Sequence, residues 1–149
     1  MNIDNTLKVT GFLDIRLYDK DGVLKDVRAV KNLVVTAGKV VIADRLGDST
    51  PSKDAMTHMA LGTGNTAAAN GDTTLQTEAG RVALTSATPS SNTVVYVATF
   101  GAGTATGAIV EAGLFNDGTT GDMLCRSVFS TITKGASDSL TITWTVTVS

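Results

Sequence analysis

The sequence predicts a mainly β chain, an antiparallel β-sandwich of jelly-roll-like type with one short helix. Three features carry that prediction. The closing segment alternates without a break: Leu140, Ile142, Trp144, Val146 and Val148 fall on one parity, and Thr141, Thr143, Thr145 and Thr147 on the other. Side chains along a strand point to opposite faces in turn, so this segment has one apolar face and one threonine face. Short β-branched runs recur through the later half, separated by Gly, Asn and Asp turns, as in sandwiches and barrels. A single segment, near residue 40, has helical spacing.

In chain order, residues 9–19 form a first strand, with Leu13, Ile15 and Leu17 on one face. Asp19-Lys20-Asp21-Gly22 supplies the turn, Gly22 being free to take positive φ. Residues 23–35 return, so the chain opens with a hairpin over about residues 8–35; imperfect alternation there predicts a bulge or an early end to pairing. A helix follows over 38–46, with Thr36 to cap it and Gly47 to end it in a left-handed conformation. Residues 48–55 read as a loop and 56–62 as a buried strand leaving through Gly62-Thr63-Gly64. The stretch 65–80 is small and polar, with Leu75 its one apolar anchor. Strands are then expected over 81–87, 93–100, 107–115 and 122–131, with a turn at 88–92, before the threonine ladder closes the set. All 149 residues form one domain in this reading, large enough to bury about 70% of the surface of its unfolded chain.

Composition narrows the function. The net charge of −2 argues against nucleic-acid binding, which requires a basic face. No run approaches the roughly 20 apolar residues of a membrane span. The first residues carry neither the basic nor the apolar region of a signal peptide, so a soluble protein made in the cytoplasm is expected. Charge is concentrated early: eight of the twelve basic and seven of the fourteen acidic residues lie in the first 50. Beyond Ala87 only Glu111, Asp117, Asp122, Arg126, Lys134 and Asp138 are charged. A surface that poor in charge is understandable where partners cover part of it.

Candidate chemistry is sparse. Gly62-Thr63-Gly64-Asn65 lacks the spacing of a dinucleotide loop and the Lys-Ser/Thr ending of a P-loop, so it reads as a strand exit. Asp19, Asp21 and Gly22 lack the later ligands of a calcium loop. His58 lies beside Met56 and Met59 with no nucleophile elbow in the chain, and Cys125 is a lone thiol among Leu124 and Val128. Glu111 shares a parity with Ile109 and Phe115, where an unpaired charge is costly to bury; Arg81 and Arg126 are its candidate partners in a structural ion pair. No catalytic residue, cofactor or metal site is expected, and the chain reads as a non-enzyme.

From about Asn32 onward the chain resembles a group of small structural proteins of tailed bacteriophages. The stretches that carry the likeness are Asn32-Leu33-Val34-Val35-Thr36-Ala37-Gly38, Met59 to Thr66 with Thr73-Thr74-Leu75-Gln76-Thr77-Glu78, Val110 to Phe115, Met123-Leu124-Cys125-Arg126, and the terminal ladder. The resemblance implies a non-catalytic virion β-sandwich of the capsid cement or decoration type, with a tail-fibre or baseplate component as the alternative. On that reading the protein sits on the outer capsid surface and its partners are the major capsid protein and further copies of itself, as a homotrimer. Thr141, Thr143, Thr145 and Thr147, with the 65–80 stretch, are the expected subunit contacts, and the charged opening hairpin the expected contact with the shell.

Overall fold

The computed structural model describes residues 6–149. Two antiparallel five-stranded sheets pack face to face. The elements, in chain order, are β1 (Val9–Tyr18), β2 (Leu24–Lys31), β3 (Leu33–Val34), α1 (Thr36–Gly47), β4 (His58–Gly62), β5 (Glu78–Ala83), β6 (Ser86–Ser90), β7 (Thr93–Phe100), β8 (Gly107–Phe115), β9 (Met123–Lys134) and β10 (Ser139–Val148). The first sheet runs β2-β1-β10-β7-β6 and the second β3-β9-β8-β4-β5. β7 passes to β8 and β9 in the opposite sheet and returns through β10 to lie beside itself, the long return that Greek-key sandwiches use.

The alternating strands form the core as their parity dictates. Leu140, Ile142, Trp144 and Val146 point inward with Leu13, Ile15 and Leu17 of β1 and Tyr96, Ala98 and Phe100 of β7. Met59, Leu61, Ile109, Leu114, Cys125 and Ile132 meet them from the second sheet. Trp144 is fully buried, and its Nε1–H donates to Asn32 Oδ1 at 2.9 Å, which satisfies the one polar atom of the largest core side chain. A smaller apolar cluster of Val35, Ala60, Leu75, Phe115 and Met123 lies on the other side of the second sheet.

Three local expectations are corrected. The opening hairpin closes at Lys31, not at residue 35. Asn32 turns the chain out of the first sheet, its N–H donating to Gly11 O, and Leu33–Val34 pair with β9 in the second. The bulge of that hairpin falls at Leu17/Tyr18, next to the Asp19 turn. The helix is longer than its caps imply. Val35 precedes it with no side-chain cap, while the Thr36 N–H donates to Asn70 O in a neighbouring loop. Gly47 stays helical, and extended Asp48 ends the helix by donating its N–H to Asp44 O. The strand expected over 81–87 and the turn expected over 88–92 redistribute. The chain leaves the second sheet after Ala83 and joins the first as β6, and the turn shrinks to Ser91, at φ 53°, and Asn92. Pro89 sits in β6 because that strand is an edge, where one side needs no N–H.

Helix α1 closes one end of the sandwich against β9. Gly38 makes this fit possible, since a Cβ there would lie 2.1 Å from the Leu124 carbonyl oxygen, a backbone atom that cannot swing aside. We expect Gly38→Ala to force the helix off β9 and to cost about 1–3 kcal/mol, the range for overpacked sites. A lower urea midpoint with an unchanged slope is the result that checks it.

Candidate functional site

The most elaborate polar arrangement is centred on Glu111. The pairing of β8 with β9 shifts register between Ile109 and Glu111. Ile109 accordingly joins the core between the sheets, while Glu111 faces outward under the 63–77 loop, contrary to their shared parity. The carboxylate is fully buried. Oε1 accepts from the backbone N–H groups of Gly64 and Thr77 at 2.9 and 2.8 Å, and Oε2 accepts from Gln76 N–H at 3.0 Å. Arg126 Nε donates to Oε2 at 2.9 Å. Gly62 and Gly64 allow this approach, because a Cβ on either would stand 2.5 or 2.7 Å from Glu111 Oε1.

Arg126, almost fully buried, extends the network with its remaining donors. One terminal nitrogen bonds Asp72 Oδ2 at 2.9 Å and the other the Thr66 carbonyl at 2.9 Å. Burial pushes the Asp72 carboxyl up, but the Ala69 N–H and the Arg126 guanidinium outweigh it and hold it below its ordinary value. Two side chains thus bind five backbone groups or side chains of one loop to the face of the second sheet. Leu75 seals the contact from within the smaller apolar cluster. A carboxylate with four occupied acceptor sites and no exposed oxygen has nothing left to offer a substrate or a cation. Glu111 is a cross-link.

Of its two candidate partners, only Arg126 pairs with Glu111. Arg81 instead forms a two-pronged bond to Glu78 at 3.0 and 2.8 Å and stacks its guanidinium 3.7 Å above the Phe115 ring. It also donates to the carbonyls of Asp117 and Thr120. Register keeps the two apart: Arg81 lies level with Ala60 and Gly113, toward the Phe115 end of β8, whereas Glu111 lies level with Gly62 and Glu78. Within the same 116–122 turn, the Thr120 and Thr119 N–H groups bring Asp117 down to about 2. Sequence reading missed Asp72 and the loop amides altogether. The glycines at 62 and 64, flanking a polar stretch that ends before Glu78, were the available signal.

The four ladder threonines form the second feature. All are half-buried on the outer face of the first sheet. Their cross-strand neighbours on β1 are Thr10, Phe12, Asp14 and Arg16, and on β7 Thr93, Val95, Val97 and Thr99. The hydroxyls of Thr99 and Thr141 bond at 2.9 Å. Asp14 and Arg16 bond each other at 2.8 Å, so the one ion pair on these three strands is internally neutralised. By contrast, the outer face of the second sheet lies under its own loop.

The remaining candidates are placed as follows. His58 is half-buried on β4, with Nδ1 2.8 Å from Thr57 Oγ1. Cys125 is buried in the core, and burial raises its thiol well above the ordinary range, away from reactive thiolate. Asp19 Oδ1 accepts from the N–H groups of Asp21 and Val23 around Gly22 at φ 79°, making a hairpin turn. Among the described residues no group of His, Cys, Asp and Glu is arranged to hold a metal ion, and no helix is long and apolar enough to cross a membrane. No protein-family model, curated protein or solved structure matches this chain.

Two tests bear on the network. Glu111→Ala should destabilise the fold by about 3–5 kcal/mol, since it removes the buried partner of the Arg126 Nε–H and the acceptor of three loop N–H groups, leaving Arg126 only Asp72 and the Thr66 carbonyl. Hydrogen exchange at Gly64, Gln76 and Thr77 should accelerate in that variant beyond the global loss, which reports loop release. The second test is acid. Asp117, Asp138 and Asp72 all lie below their ordinary values when folded, Asp138 through its bond from Lys25. The stability they add is complete above the unfolded carboxyl value of about 4 and is lost as pH falls through the folded values toward about 2. Urea midpoints measured across that window should decline, and Asp117→Asn should remove part of the slope.

Proposed function

We propose that this chain is a structural protein of a tailed-phage particle, a capsid cement protein that binds the lattice of the major capsid protein from outside. The single observation that supports this most is the outer face of the first sheet: across β1, β10 and β7 it is mostly threonine and valine with one internally neutralised ion pair, and Lys31 of β2 lies at its margin beside Phe12. Such a face suits close contact with protein better than contact with water alone. The stapled loop supports the same reading, since a part that bears load across a shell benefits from a surface without slack. Its contribution to the head is mechanical. Each copy makes a modest contact, and copies tied to one another hold on by avidity, so the layer resists the outward pressure of packed genome. The charged opening hairpin, with Lys20 and Asp21 exposed at its tip, is the part we assign to the shell.

Quantitative mass spectrometry of purified particles of the phage encoding this chain tests the reading. Hundreds of copies, in a simple ratio to the major capsid protein, are expected. A few copies would place it in a tail fibre or baseplate, and none would end the virion reading.

A further inference from the structure

We propose that the outer face of the first sheet docks a second copy of this chain, face to face across a twofold axis that runs along β10. The inference rests on the reading of the chain as an assembling structural protein, and it names the partner of that face.

Three observations carry it. The first is self-complementarity. Thr141, Thr143, Thr145 and Thr147 project from the central strand of the sheet, and a hydroxyl both donates and accepts, so a threonine ladder can bond its own copy. The second is charge. A twofold axis along β10 sets β1 of each copy over β7 of the other. The outer residues of β7 are Thr93, Val95, Val97 and Thr99. Asp14 and Arg16 therefore meet no like charge, Lys31 of β2 comes over uncharged β6, and Phe12, 47% exposed in the single chain, is brought over the Val95 side of its partner. The third is area. Five strands about 4.8 Å apart, crossed by some seven residues at about 3.4 Å each, give a patch of roughly 500–600 Å² with its rim. Two such patches together bury roughly 1,000–1,200 Å², the lower bound for a specific interface. A single flat patch that meets itself closes as a pair, so the pair, rather than the homotrimer expected from the sequence, is the unit this face builds.

Sedimentation equilibrium on the purified full chain tests this. The wild type should sediment at twice its 15.3 kDa mass at tens of micromolar, and Thr143→Lys at the single-chain mass, with association weakened at least tenfold. Leu46→Lys, on the exposed side of α1, should leave the pair intact. Thr143→Cys offers a readout that needs no loss of association. A bismaleimide that spans two sheets packed about 10 Å apart should join the copies, while the wild type, its one cysteine buried, stays unjoined. A single-chain mass for the wild type overturns the proposal, as does any assembly that survives Thr143→Lys, or a Thr143→Cys chain that does not cross-link. Pairing in solution without copies in particles would sink only the cement reading; abundant copies in particles from a chain that is single in solution would sink only this one.

Discussion

The bond between Arg126 and Glu111 sets what the rest of this molecule can be. Two opposite charges buried on one sheet face are tolerable only when every remaining donor and acceptor is satisfied, and here a single loop satisfies them. The loop has no regular structure of its own and only Leu75 to bury deeply, so hydrophobic packing alone would hold it weakly. The ion pair and the loop each supply what the other lacks. The same constraint fixes glycine at 62 and 64, because the backbone must come within hydrogen-bonding distance of a carboxylate on the adjoining strand.

The two sheets consequently differ in kind. The second carries chain on both of its sides, the core on one and the stapled loop on the other. Among the described residues, the first carries core on one side only. Its edges are protected differently: β6 carries Pro89, and β2 carries Lys25, Asp26, Arg28 and Lys31. Arg28 also reaches across to Ser130 and the Thr131 carbonyl of β9, closing the gap between the sheets along that edge. Proline and charge at a sheet edge oppose the addition of further strands.

Much of this was legible in the sequence where one local rule had no competitor. β10 follows from its alternation, β7 and β8 from β-branched runs set between turn residues, and the Asp19 turn from its aspartates and glycine. Legibility failed where a distant partner decided the outcome. Ser86–Ser90 has the composition of a turn and becomes a strand because β7 offers it an edge. Thr36 looks like a cap, but its N–H is met by Asn70 O, a residue far along the chain. Glu111 shares a parity with Ile109 until a register shift against β9 separates their faces, and no pattern within β8 announces it. Arg126 was legible as a partner because it sits on the neighbouring strand. Asp72 was not, since its position depends on how the loop folds back.

The one-sidedness of the sandwich also governs how far association can run. A particle with two bare faces stacks without limit, each added unit presenting a new surface, and the product is a rod or a precipitate. Here one broad face is spent on the molecule's own loop. Under the proposed pairing, stacking through the other stops at two, and the charged and proline-bearing edges oppose growth sideways. On the proposed pairing, the staple under Glu111 acts as a terminator, leaving one broad face rather than two for association.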